Sequence, residues 1–315
     1  MLEEFSNYST NKSDIFEIVA NFERNVPNFY DEGVCEIKYI PVENGEIRVF
    51  HHKPEKVKTK RPIVFAPGFA TAPYIWREFH YPQHDFLEYY HIETRDKKSS
   101  KIKNRRNADF SIEQIAKDIG TIINYLNLAK KDYVLVGTCM CGGAILTGLI
   151  NEFFNPPTTI VLDPFTKWTQ NKFLVKTIMP IIPAPLLGGL KYLFAKLILA
   201  NMKNEAQKKR NMATIEEAVP WIWKKFSTQN INYDITTKLA NIKQQIYIFH
   251  GPPDKYHPEG FIEIAKKIPN ARYFHIPIKE EYRELLIGII GTIFASITKE
   301  DDLPMFIKKY EVEIS

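Results

Sequence analysis

Tyr133-Val134-Leu135-Val136-Gly137-Thr138-Cys139-Met140-Cys141-Gly142-Gly143 runs an apolar strand pattern into a turn of small residues, with a helical pattern after it. Such a strand-to-helix reversal is a nucleophile elbow: it pushes the apex side chain clear of the backbone and leaves the first N–H groups of the helix free to hold negative charge. The apex here is Cys139, a thiol where most elbows carry a hydroxyl, and it is the candidate nucleophile.

Working outward, strand and helix patterns alternate on both sides of this turn. Val34 to Ile40 and Glu46 to His52 alternate like half-buried strands, and Pro62 to Ala66 is a short apolar run that suits a central strand. Tyr90 to Thr94 follows as a strand. Ser111-Ile112-Glu113-Gln114 reads as a capping box opening a helix to about Leu128, with Ile112, Ile115, Ile119, Ile122 and Ile123 along one face. Beyond the elbow come a helix from Gly142 to about Phe153, strands at Thr159 to Leu162 and Gln245 to Phe249, a helix near Gly260 to Lys267 and a strand at Arg272 to Ile276. That rhythm predicts a mostly parallel central sheet flanked by helices.

Between about Phe165 and Ala240 the rhythm breaks. Phe173 to Ala200 is dense in Leu, Ile, Met and Pro, and Pro180, Pro183 and Pro185 interrupt it too often for a spanning helix of about 20 apolar residues. An inserted helical cap is expected, packed on the sheet in preference to serving as a membrane-contacting lid. The basic run Lys203 to Arg210 reads as a solvated helix face rather than a ligand clamp. The organisation is then an N-terminal extension (1–33), a first part of the core (34–164), the cap (165–240) and a second part of the core (241–315).

Composition narrows the function. A chain of 315 residues with 44% hydrophobic and 13% aromatic residues can bury one large core. Its 42 Lys and Arg against 37 Asp and Glu give a net charge of +5, too balanced for a nucleic-acid partner. The three cysteines, Cys35, Cys139 and Cys141, form no disulfide framework, and a bridge between the last two would be strained. A reducing, cytoplasmic setting is expected, with no secretory leader in the polar stretch from Met1 to Asn11.

Four landmarks together resemble the α/β-hydrolase superfamily over about residues 35 to 310. Ala66-Pro67-Gly68-Phe69 stands where that superfamily has its oxyanion loop, and Thr94-Arg95-Asp96 with Ser99 and Ser100 is similar to a worn DxRGxGxS stretch. Gly137 to Cys141 fills the GxSxG slot, and Gly251-Pro252-Pro253-Asp254 followed by Pro258 resembles the acid turn. The thiol and the Gly142-Gly143 pair resemble the GxCxGG box of polyhydroxyalkanoate synthases; dienelactone hydrolases are the other thiol-bearing subfamily. One departure is Cys141, where the pattern has glycine.

The resemblance implies a Cys139 nucleophile, Asp254 as the acid, with Asp163 as an alternative, and oxyanion donors in the backbone N–H groups of Phe69 and Met140. The base histidine is missing: its slot, in Ile276-Pro277-Ile278-Lys279-Glu280-Glu281, falls on Glu281. A thiol needs less help than a hydroxyl because free cysteine titrates at about 8.5. Glu281, if protonated, or His257 from the acid loop could supply proton transfer; His84 and His250 are weaker candidates, and His275 reads as a packed strand residue. The expected function is acyl transfer or hydrolysis of an ester or thioester through a Cys139 acyl-enzyme, without metal or organic cofactor. The small-molecule substrate would have an apolar acyl part held under the cap near Phe173 to Leu199. The competing expectation is a degenerate member of the fold, its base lost to Glu281, that binds a ligand or a protein.

Overall fold

The computed structural model describes residues 14–59, 61–169, 171–200, 205–251, 258–297 and 303–314. Among them ten strands form one sheet: β1 (Glu36–Val42), β2 (Gly45–His52), β3 (Ile63–Ala66), β4 (Tyr89–Ile92), β5 (Lys101–Ile102), β6 (Val134–Thr138), β7 (Thr158–Leu162), β8 (Ile246–His250), β9 (Ala271–His275) and β10 (Glu311–Val312). The order across the sheet is β1-β2-β4-β3-β6-β7-β8-β9-β10, with β5 pairing β2 off this path. The pairs β4-β3, β3-β6, β6-β7, β7-β8 and β8-β9 are parallel. Antiparallel pairing is confined to β1-β2, β2-β4, the short β5 and the short β10.

The pleat of the central strands divides the core in two. Val64, Leu135, Val161 and Ile248 belong to one buried cluster with residues of the helices Ile112–Tyr125 and Cys139–Ile150. Ile63, Phe65, Val136, Leu162 and Phe249 belong to the other, with residues of the helices Ile15–Ala20 and Arg283–Ser296. Burial on both faces explains why these strands read as continuous apolar runs rather than as alternating ones. The helix Ile112–Tyr125 starts at Ser111, whose Oγ accepts the Gln114 N–H at 3.1 Å. The reciprocal half of the expected capping box does not close: the Gln114 side-chain amide turns to Asp118, and the Ser111 N–H goes to Asp109.

Between β7 and β8 the chain leaves the sheet for the helical segments Leu174–Ile178, Met179–Ile181, Ala184–Leu199, Glu205–Glu217 and Pro220–Asn230. An ion cluster ties this insertion to the core: Arg210 bonds the buried Glu280 and also the buried Glu284, at 2.6 Å. The end of the basic run is therefore turned inward as an internal clamp, which corrects the expectation of a wholly solvated face.

A second polar cluster lies beside β2 and β4. His80 Nε2 stands 3.0 Å from His91 Nδ1, both rings are enclosed, and Phe29 and Tyr89 pack against them. Burial pushes both imidazoles well below the usual histidine range, and the neighbouring imidazoles around His80 and the cations Lys97 and Arg48 near His91 add to the effect. The folded protein thus resists protonating them while the unfolded chain accepts protons below about pH 6.5, so full stability is present above that value and is lost as pH falls. The unfolding free energy from urea melts is expected to drop steadily from about pH 7 to about pH 5, by up to about 1.4 kcal/mol per pH unit for each ring. A free energy that stays flat over that interval would contradict a neutral buried pair.

Candidate active site

The site is assembled at the carboxyl edge of the parallel sheet, where β3, β6, β7 and β8 end side by side. Cys139 directly follows β6 and begins the helix Cys139–Ile150, with its backbone at φ +49°. A non-glycine residue in this left-handed region costs roughly 1–3 kcal/mol, so the surroundings must hold it there. Two contacts do so. The Cys139 carbonyl accepts the Phe165 N–H at 2.9 Å, and the preceding Thr138 Oγ1 accepts the Gly68 N–H at 3.1 Å.

The loop after β3 packs directly on this elbow. A Cβ placed on Gly68 would stand 3.3 Å from the Cys139 Cβ, so glycine permits the approach. Lys97, enclosed by protein, donates to the Gly68 carbonyl at 2.6 Å and to Asp96 at 2.9 Å, and Asp96 accepts the Ala70 N–H at 2.7 Å. The stretch that resembles a worn motif therefore fixes the backbone of the loop after β3. Arg95 in the same stretch is buried against Asp118, at 2.7 Å from Nη2 to Oδ1. Phe69 and Met140 line one cavity with Cys139, where oxyanion donors serving that sulfur would have to stand.

Gly143, not the position of Cys141, is where the helix cannot carry a side chain, since a Cβ there would collide with the Phe165 carbonyl oxygen. Cys141 fits in full burial, its sulfur 3.8 Å from Thr94 Oγ1, and that burial pushes its thiol up to about 12. It is an inert packing thiol. Cys139 is the accessible member of the pair.

Asp163 follows β7, also in the left-handed region at φ +47°, and is the hub of the polar network. Its Oδ1 lies 2.7 Å from His250 Nδ1, at the end of β8, and its Oδ2 accepts from Arg283 Nη2 at 3.1 Å. Burial by itself would push this carboxyl up, but the His250 bond and the Arg283 charge outweigh it and hold the carboxyl below its ordinary value. The bond to Asp163 occupies His250 Nδ1, and among the described residues Nε2 is buried without a partner. The His250 ring stacks on Phe261 and on His275. Arg283 is buried too, which opposes its charge, but Asp163 and Glu284 more than restore it, with Cys139 among the groups that add to this.

Glu281, expected in the histidine slot, is exposed in the turn Glu280–Tyr282, while its neighbour Glu280 is buried against Arg210. The residue turned toward Asp163 is Arg283, two positions later; the helix starting there rotates it inward and leaves Glu281 outside. Asp254 and His257 lie outside the described residues. His84 is stacked on His52 of β2 at 4.2 Å, in the histidine cluster beside β2 and β4. Asp163 and His250 were legible as alternatives because each stands at a strand end; Arg283 carried no motif signal.

The cavity above Cys139 has a volume of about 600 Å³, within the ~300–1,000 Å³ usual for ligand sites. Its walls are mainly Phe69, Trp168, Trp223, Phe226, Phe261 and Ile264. Trp223 and Phe226 come from the insertion helix Pro220–Asn230, and among the described residues none of the lining comes from Phe173 to Leu199. That corrects the part of the cap expected to hold an acyl chain. Two polar atoms of lining residues, Trp168 Nε1 and Ser227 Oγ, are buried without partners among the described residues.

No model of a protein family and no curated protein matches the chain. Solved structures do resemble it. An esterase from Thermogutta terrifontis with malate bound superposes with a TM-score of 0.62 at 15% identity, over 82% of this chain and 96% of that one. The enol-lactonase from Burkholderia xenovorans gives 0.61 at 13% identity, over 81% and 97%. The esterase EaEST from Exiguobacterium antarcticum gives 0.60 at 17% identity, over 82% and 98%. With the strand order and the elbow, these establish the α/β-hydrolase fold.

Replacing Asp163 by Asn leaves the Arg283 charge buried without its main counter-charge, and the expected loss is about 3–5 kcal/mol in urea denaturation at about pH 7. Adding Arg283→Met to Asp163→Asn is expected to recover part of that loss; simple additivity of the two single losses would deny the coupling.

Proposed function

We propose that the protein forms an acyl-enzyme on Cys139 from a thioester or an activated ester with an apolar acyl chain. The observation that carries this reading is the position of the Cys139 side chain, at a left-handed elbow, in the wall of an apolar cavity that Phe69 and Met140 also line. The Cys139 thiolate attacks the carbonyl carbon, and the oxygen that gains the negative charge is held by the Phe69 and Met140 N–H groups. The bond to the leaving group then breaks, its electron pair departs on the leaving sulfur or oxygen, and solvent protonates that atom once it is released. Hydrolysis or transfer to an acceptor completes the cycle.

Arg283 in place of the base shapes which substrates are suitable. A guanidinium stabilises a thiolate and a developing oxyanion, but it stays protonated and cannot accept a proton. General acid–base help worth about 10² to 10⁴ in rate is therefore absent at that position, which favours leaving groups that depart unprotonated, such as thiolates. Resolution of the acyl-enzyme by water becomes the slow step.

A second reading, a ligand-binding protein that no longer catalyses, draws on the same Arg283. Intact-mass measurement separates the two. After exposure to a p-nitrophenyl ester of a medium-chain acid, one acyl group is expected on the wild type and none on Cys139→Ala; an unmodified wild type would leave only the binding reading. Arg283→His is expected to raise the rate of deacylation by about tenfold or more, while Glu281→His leaves it unchanged. Equal effects of the two substitutions would remove Arg283 from the site's chemistry.

A further inference from the structure

The insertion has an outer surface that neither the cavity nor the core uses. On the helix Ala184–Leu199, Leu187, Lys191, Ala195 and Leu199 form the buried stripe, at intervals of four residues. A helix packed on a protein by one stripe is normally polar on the other side. Here Leu186, Tyr192 and Leu193 are exposed there instead. The preceding segment repeats the pattern: Val175 and Met179 are buried, while Phe173, Leu174 and Ile181 are exposed, the first 68% and the last 75%. The two segments are bent by 120° at Ile182 and Pro183, which leaves Ile181 and Leu186 exposed on either side of the corner.

Charge identifies what this surface fits. From Phe165 to Ala200 the chain contains five lysines and no acidic residue. Lys167 faces Asp234 at 3.5 Å, and Lys191 is spent inside, bonding the Glu216 and Ala218 carbonyls. Lys172, Lys176 and Lys196 are exposed, and among the described residues no carboxylate pairs with them. Apolar tips interleaved with such lysines match an anionic lipid surface, where the tips enter the acyl boundary and the ammonium groups meet phosphates. Apposing this face to a second copy of the chain would instead bring lysines against lysines. Among the described residues no single helix is long and apolar enough to cross a bilayer.

We infer that the bent segment Leu174–Leu193 docks the protein on anionic membranes, lying in the interface without spanning it. This assignment stands apart from the chemistry at Cys139. The sequence favoured a cap packed on the sheet over a membrane-contacting lid; the packing uses one stripe and leaves the other apolar, which supports the less favoured alternative.

Sedimentation of the full chain with vesicles tests it. The wild type is expected to pellet with phosphatidylcholine vesicles that carry phosphatidylserine, and its apparent affinity to fall at least about tenfold when salt is raised from about 0.05 to about 0.5 M. The double variant Ile181→Asp/Leu193→Asp is expected to lose about tenfold or more in vesicle affinity with an unchanged circular-dichroism melt and unchanged acylation of Cys139. Lys172→Glu/Lys176→Glu, which leaves the apolar tips in place, is expected to abolish the preference for anionic over purely zwitterionic vesicles. A wild type that stays in the supernatant with both vesicle types overturns the inference. So does a wild-type dimer that Ile181→Asp/Leu193→Asp converts to a monomer without any vesicle binding, since a second copy then covers the surface. Vesicle binding by a protein whose Cys139 takes no acyl group would uphold the docking surface and overturn the catalytic reading alone.

Discussion

The carbonyl of Cys139 accepts the Phe165 N–H, and through that one bond the end of β6 is tied to the chain leaving β7. Cys139 is held in a left-handed conformation that costs roughly 1–3 kcal/mol, and the geometry persists because several groups specify it together. The loop at Gly68 comes close enough for only a hydrogen at its α-carbon to be comfortable, and Gly143 lies so close to Phe165 that no side chain fits. Lys97 and Asp96 then lock the loop from behind. The exposure of the sulfur, the placing of Phe69 and Met140 beside it and the shape of the cavity all follow from this arrangement.

The polar network beside Cys139 joins an imidazole and a fixed positive charge on one carboxylate. Asp163 is bonded to an imidazole and to a guanidinium, and of these two the guanidinium is permanently cationic. A cysteine tolerates such a substitution better than a serine, because a thiolate forms far more readily than an alkoxide. The two unusual features of the chain, a thiol at the apex and an arginine near the histidine slot, are chemically consistent with each other.

The insertion works on two fronts. Its inner residues, Trp223 and Phe226 among them, close over the cavity, and Arg210 anchors it through Glu280 and Glu284. Its outer residues include large side chains that the protein leaves in solvent alongside exposed lysines. Apolar content alone does not distinguish these uses, because both stripes of a helix such as Ala184–Leu199 are built from the same residue types.

The alternation of apolar runs and helical patterns determined the sheet and its flanking helices, because burial on both faces of a parallel strand imposes a pattern visible along the chain. The elbow was equally legible, since a sharp strand-to-helix turn demands small residues in sequence around Cys139. The two-residue strands β5 and β10 were not, being too short to have a period. What only the tertiary structure decided was which side chains meet. Glu281 and Arg283 are two residues apart, and the rotation of one helix start sends the first to solvent and the second to Asp163. His250 and Asp163 are 87 positions apart and become neighbours because β7 and β8 are paired in parallel. Local sequence records the periodicity of each element, whereas the register between elements and the rotation of a helix about its axis are settled by packing across the whole core.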